Sequence, residues 1–145
     1  MVHALRRIHR SLRSEGVLLD LHPQPEPAVV EVWQGSRVDR IGHLDQEEDI
    51  RDILEARARL DQVEVEGWYS NERRNSFDLL AHFPSAQAWL DYRAKEGDSS
   101  VVSAELLASA NRFLATGGGE LVIREPIRAS VLTRLPGPGS GSPES

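Results

Sequence analysis

The sequence contains no cysteine, which excludes disulfides, thiolate nucleophiles and cysteine-ligated zinc or iron–sulfur centres. It is almost without lysine. Lys95 is the single one, so the positive charge is nearly all arginine, consistent with codon bias in a GC-rich genome rather than with a binding signal. Hydrophobic residues make up 39% of the chain, slightly short for an ordinary soluble domain. Basic residues are not in excess either. A net charge of -6 leaves no basic footprint to neutralise phosphates, so no nucleic-acid partner is expected. No apolar run approaches membrane-spanning length, so no membrane partner is expected. The N-terminus lacks the apolar segment and small-residue cleavage site of a secretory signal. Its arginine-rich amphipathic opening has some character of a transit peptide, but it runs directly into a strand, and a cytoplasmic protein is expected.

At 145 residues the chain fits one domain, expected over 1–135, able to bury roughly two-thirds of its unfolded surface. Residues 136–145 form a Pro/Gly/Ser tail that cannot build a core and is expected to be disordered. Leu5, Ile8 and Leu12 fall on one face of a helix and Arg6, Arg10 and Arg13 on the other, with Gly16 as its stop. Val17-Leu18-Leu19-Asp20-Leu21 is a near-continuous apolar run, the pattern of a strand buried on both faces of a sheet. Prolines at 23, 25 and 27 force an extended loop after it. Short strands at 28–33 and 37–41 flank Gln34-Gly35-Ser36, a hairpin turn.

Asp45 and Glu48 resemble an N-cap and its capping partner. The helix they open carries Ile50, Ile53, Leu54 and Leu60 on one stripe and is expected to end near Asp61. A strand is expected from Val63 to Tyr69, continuing through the polar 70–76 to Phe77. Ser85 caps a third helix and Ser103 a fourth, in which Leu106, Leu107, Ala110, Phe113 and Leu114 keep helical spacing. Gly117-Gly118-Gly119 ends that helix. Residues 120–123 and 127–135 make a long last strand, with Pro126 at a bulge or edge position. The order of elements predicts an α/β or α+β arrangement in one domain.

The stretch Ala4-Leu5-Arg6-Arg7-Ile8-His9-Arg10-Ser11-Leu12-Arg13-Ser14-Glu15-Gly16-Val17-Leu18-Leu19-Asp20-Leu21 resembles the helix and fifth strand of class I S-adenosylmethionine-dependent methyltransferases. In that family a helix ending in leucine and a basic residue turns through a Pro-Gly-Gly-like corner into an apolar strand. Here Ser14-Glu15 stands where Pro-Gly is expected, and Gly16 is retained. The remainder of the chain agrees in order and length: an inserted hairpin and helix, then two long strands antiparallel to each other, 63–77 as the sixth and 120–135 as the seventh.

The resemblance spans 4–135, and its specific part is the first eighteen residues or so. It implies an α/β fold: a partial Rossmann-like methyltransferase sheet, strands five to seven with an antiparallel pair, plus an inserted hairpin and helices. It also implies S-adenosylmethionine as the parent cofactor and methyl transfer to a small molecule as the parent activity. The family holds that cofactor with a glycine-rich loop leaving the first strand and an acidic residue ending the second, and this sequence has neither motif. Gly117-Gly118-Gly119 is no substitute, because it leaves a helix and opens a strand, the reverse of a cofactor loop.

Histidines at 3, 9, 22, 43 and 82 show no metal-type spacing, and no Gly-x-Ser-x-Gly elbow occurs. The acidic run Asp45-Gln46-Glu47-Glu48-Asp49 suits a first helical turn facing the helix dipole rather than a metal. His22 follows the strand at whose carboxyl end ligands of open α/β sheets gather, so it could face a substrate or act as a base; otherwise it is a polar loop-starter before proline. Arg57 lies within an apolar helical stripe, suited either to an anionic substrate or a buried carboxylate, or to covering apolar surface with its stem. Trp33, Trp68, Tyr69, Arg73 and Arg74 could line a substrate pocket if the family comparison holds; the aromatics otherwise read as core.

The sequence supports two classes of function. In the first the chain is a truncated methyltransferase-like protein, inactive alone, or the product of a late start codon. In the second it is a non-catalytic interaction or oligomerisation module, a homodimer or hetero-oligomer formed through the edge of the strand Val17-Leu18-Leu19-Asp20-Leu21, whose neighbouring fourth strand has no counterpart here. A small α+β ligand-binding domain with a familiar opening is the remaining alternative.

Overall fold

The computed structural model describes residues 2–98 and 100–138, without the side chain of Val2. Four helices and five strands are present: α1 Val2–Ser11, β1 Val17–Pro23, β2 Val29–Gln34, β3 Arg37–His43, α2 Glu47–Val65, β4 Tyr69–Phe83, α3 Ala86–Glu96, α4 Ala104–Ala115 and β5 Glu120–Arg134. The class is mixed α/β, with a five-stranded antiparallel sheet in which β5 pairs with β1, β2 and β4, and β2 with β3. The chain divides into two compact units, each with a core of its own. The first holds the described residues up to 23, 51–77 and those from 127 onward, and the second holds 24–50 and 78–126. No described helix is long and apolar enough to cross a membrane.

In the first unit, Leu5, Leu60, Val63, Tyr69 and Leu132 form the core, with Leu12, Leu18 and Trp68 packed against it. The Tyr69 hydroxyl donates to the Leu5 carbonyl at 2.8 Å, which satisfies a phenol that burial would otherwise penalise. His9 is also buried. Its Nε2 meets the Leu135 carbonyl at 2.8 Å and its ring stands edge-on to Trp68 and Tyr69. The corner between α1 and β1 keeps the geometry expected of a glycine turn. Glu15 takes φ 59, and a Cβ on Gly16 would meet the Arg13 carbonyl at 2.7 Å.

β1 is not buried on both faces as its apolar run predicts. It alternates. Leu18, Asp20 and His22 turn toward the helices, whereas Val17, Leu19 and Leu21 are 53–60% exposed. The antiparallel register sets Leu18 opposite Leu132, Asp20 opposite Ser130 and His22 opposite Arg128 on the covered face. Val17, Leu19 and Leu21 sit opposite Thr133, Val131 and Ala129 on the other. The reason is that α1 and α2 both contribute to the core on the first face, and no described element of the unit lies over the second.

α2 also departs from expectation. It runs on to Val65 instead of ending near Asp61, so β4 covers Tyr69–Phe83 and not 63–77. Leu60 and Val63 lie three residues apart and are both buried, which continues the helical stripe by one more turn. Val65, which gave the segment its strand-like alternation, is 88% exposed. Gly67, at φ 75, then reverses the chain.

In the second unit, β2 and β3 form the expected hairpin, with Gly35 at φ 61 in the turn and a register shift between Val30 and Glu31. Val30, Val32, Leu121 and Ile123 pack with Trp89, Leu106 and Ala110. Ser85 and Ser103 cap α3 and α4, accepting from the amides of Ala88 and Leu106. Asp45 is not the cap of α2: its amide and carbonyl bridge to Val101. β5 passes through Pro126 unbroken, because 120–124 pair with β2, 127–133 pair with β1, and the missing amide falls between the two ladders. Residues 139–145 of the expected tail lie outside the described residues.

After α3, Gly97 adopts φ 70, and Arg93 donates to the Asp98 carboxylate at 2.8 Å and to the Ser100 carbonyl and hydroxyl. The Arg93 bond and those from Ser100 hold the Asp98 carboxyl down to about 2. A depressed folded-state value means that this contribution is complete above the unfolded value near 4 and is lost as the pH falls through about 2. Asp98→Asn should therefore flatten the fall in stability between about pH 4 and pH 2 measured by urea unfolding. In the first unit, Leu132→Ala should cost about 2–5 kcal/mol, whereas Leu19→Ala should change the stability of the isolated chain by less than about 0.5 kcal/mol. Equal losses for the two would show that the outer face of β1 is not bare.

Candidate functional site

Asp20 and His22 stand two residues apart on β1, so the strand's alternation points both toward the helices of the first unit. The His22 Nδ1 lies 2.7 Å from the Asp20 Oδ2, and both side chains are largely buried. A carboxylate only accepts, so the bond places the ring proton on Nδ1 and leaves Nε2 as the free nitrogen. Register brings Ser130 and Arg128 of β5 alongside them. From α2 come Arg57, Leu60, Asp61 and Glu64, and from β4 Asn71 and Arg74, to close a cleft around the dyad. Its free volume of about 10 Å³ is room for one water molecule.

The charges in this cleft are unevenly paired. Glu64 accepts from Arg74 at 2.9 Å and from the Asn71 amide at 2.9 Å, and Asp61 lies 3.8 Å from the same Arg74. Asp20 is held by His22. The Arg57 and Arg128 side chains have neither a hydrogen bond nor an ion pair among the described residues and reach solvent, and the Asn71 Oδ1 is buried without a donor. Burial, then the neighbouring charges of Arg57 and Arg74, push the Arg128 guanidinium below its ordinary value, against a smaller opposing pull from Asp61 and Glu64. Chemically, the arrangement offers an oriented imidazole with one free nitrogen beside two guanidiniums whose donors are uncommitted.

Of the seven residues singled out in the sequence, His22, Arg57 and Arg74 meet in this cleft, and Tyr69 is in the core beside it. Trp68 belongs to the same unit but not to the cleft. Its indole nitrogen donates to Glu66 at 3.0 Å, Arg6 lies 5.5 Å over its ring, and it packs on the core. Arg73 is exposed and does not line the cleft, whereas Arg74 does. Trp33 lies in the second unit, where its indole donates to Glu31 at 2.7 Å. Arg124 bridges that carboxylate to Asp78, and its hydrogen bonds hold the Glu31 carboxyl below the usual range. Asp20 was concealed by its place inside an apolar run; its i, i+2 spacing from His22 was the available signal. No local pattern announces Arg128, since only the β1–β5 register puts it beside His22.

A site for S-adenosylmethionine finds no fit among these residues. The glycine triplet follows α4 and enters β5, and its space is already filled: a Cβ on Gly119 would meet the Trp33 carbonyl at 2.4 Å and Gln34 Cγ at 2.7 Å. Gln34 in turn donates to the Phe113 carbonyl at 2.8 Å. Gly119 thus serves the close approach of the chain to β2, whereas Gly118 has open space around it. The strand-to-helix junctions, 44–46 and 84–85, contain no glycine. Comparison with protein-family models, curated proteins and solved structures finds no match to this chain.

Asp20→Ala removes the acceptor that fixes the imidazole. Nitrogen-15 spectra should show the Nδ1–H form of His22 in the native chain and a shift toward Nε2–H in the variant. An unchanged tautomer would mean that another group, not Asp20, orients the ring.

Proposed function

We propose that this chain is the C-terminal part of a class I methyltransferase-like sheet, inactive in methyl transfer alone, which is completed when β1 pairs with a strand of a second polypeptide carrying the cofactor half. The carrying observation is the state of β1. Among the described residues it pairs with β5 alone, and Val17, Leu19 and Leu21 on its outer face are 53–60% exposed. An apolar strand with one free edge and one bare face is a template for another chain. Because these side chains are already partly covered, burying the rest of each is worth about 1–2 kcal/mol, which in sum favours association.

Three further features support the reading. The α1–Gly16–β1 corner keeps the helix–turn–strand arrangement of the resemblance. β4 and β5 are long strands paired with one another, in the order expected of strands six and seven. The apolar run of β1 suits a strand covered on both faces, a demand that a complete doubly wound sheet meets and this chain alone does not. Pairing of β1 with a second copy of the chain would meet the edge requirement in the same way and yields the oligomerisation module.

Isothermal titration of the chain with S-adenosylmethionine should give no binding heat, and micromolar binding would sink the reading. Light scattering at rising concentration, and co-purification from the source cell, should show β1-dependent association. Leu19→Asp should abolish that association while changing the unfolding free energy of the isolated chain by less than about 1 kcal/mol. A native chain that stays alone in both settings would count decisively against a partner at this edge.

A further inference from the structure

We propose that the outer face of β1 and of its partner residues on β5 seats an amphipathic α-helix of the second polypeptide, with an arginine or lysine of that helix in the acid-lined pocket at the Val17 end. The inference rests on the partner proposed above and adds an element to it. A strand paired at the β1 edge extends the sheet but leaves this face uncovered.

The register defines what the face offers. Val17, Leu19 and Leu21 stand directly opposite Thr133, Val131 and Ala129, so three cross-strand rows of mostly apolar side chains project to one side. The β1 members are 53–60% exposed and the β5 members are partly buried. Neighbouring rows on one face of a strand lie about 6.7 Å apart. Helix positions i, i+4 and i+8 advance about 6 Å at each step, so one helix lying along the strands sets a side chain over every row. Two strands side by side also span about the 10 Å diameter of a single helix.

The charge of the helix follows from what borders the first row. A pocket of about 450 Å³ there is lined by Ser14, Glu15, Ser70, Glu72, Thr133 and Arg134, with the chain that follows Arg134. Glu15 and Glu72 have no cation among the described residues. Glu72 accepts only from the Ser70 hydroxyl, at 3.5 Å, and Arg134 donates to the Leu12 carbonyl rather than to either carboxylate. Two carboxylates and three hydroxyls with open acceptor positions suit a guanidinium or an ammonium group. A second copy of this chain would bring the same aliphatic rows without a cation, since none of the six outward residues is basic. An anionic membrane would be repelled at the same end.

The test uses the full chain and a fluorescent synthetic helix with leucine at every fourth position and one arginine a turn beyond the last leucine. Two control peptides carry glutamate in place of the arginine, or the same leucines dispersed around the helix. Anisotropy should show saturable binding of the arginine peptide on the order of 10 μM, about tenfold weaker binding of the glutamate peptide, and none of the dispersed one. Leu19→Asp should abolish binding. Glu72→Gln should weaken the arginine peptide about fivefold and leave the glutamate peptide unweakened. Both positions are exposed, so both variants should keep the native circular dichroism and melting temperature. Equal binding of the arginine and glutamate peptides, or of the dispersed peptide, would overturn the proposal. So would peptide binding that is lost as the chain dimerises, which assigns the face to a second copy, or capture of the chain by neutral phosphatidylcholine vesicles that Leu19→Asp removes. The two readings fail separately: a chain that co-purifies with a partner yet binds no peptide overturns the helix seat alone, and one that binds the arginine peptide yet never associates at β1 overturns the edge pairing alone.

Discussion

The antiparallel register of β1 against β5 is the constraint on which the first unit depends. Pairing Leu18 with Leu132 sets both against the core that α1 and α2 complete, Leu132 buried and Leu18 partly so, and the same register carries Asp20 to Ser130 and His22 to Arg128 along the same face. A slip by one residue would turn Leu19 and Leu21 inward and expel the Asp20–His22 pair, because a strand's side chains alternate with a period of two. The apolar pair at one end of the ladder therefore decides where the polar pairs at the other end must sit. Buried leucine and buried dyad are consequences of a single alignment.

That alignment also explains why polar residues are tolerated beneath helices. Burying a charged group is costly unless it is paired, and most of the cleft obeys the rule through Asp20 with His22 and Glu64 with Arg74. Arg57 and Arg128 depart from it. In the second unit, by contrast, Arg124 is saturated by Glu31 and Asp78, and Arg93 by Asp98 and Ser100.

The outer face of β1 poses the complementary problem. Three aliphatic side chains stand in solvent on an edge strand, a feature that folded proteins ordinarily cover or blunt with charge. In the second unit the hairpin, α3 and α4 close a core around Val30, Val32 and Leu121, each essentially inaccessible to solvent.

By itself the sequence determined the local chemistry: the amphipathic α1, the Gly16 corner, the hairpin about Gly35, the serine caps of α3 and α4, and the helix-to-strand role of the glycine triplet. Each is governed by residues within a turn or two of one another, and those signals survive in any environment. Only the tertiary structure decided that α2 extends to Val65, since burial of Val63 on the helical stripe outweighs the β-branched alternation of 63–65. It alone left one face of β1 bare, because burial depends on what lies across the sheet. His22, Arg57 and Arg74 could be singled out from the chain, but their meeting with Arg128 depends on strand register, and Trp33 and Arg73 do not line that cleft. Those are contacts between segments as far apart as residues 22 and 128, whose physical cause is the packing of the core and which no local pattern encodes.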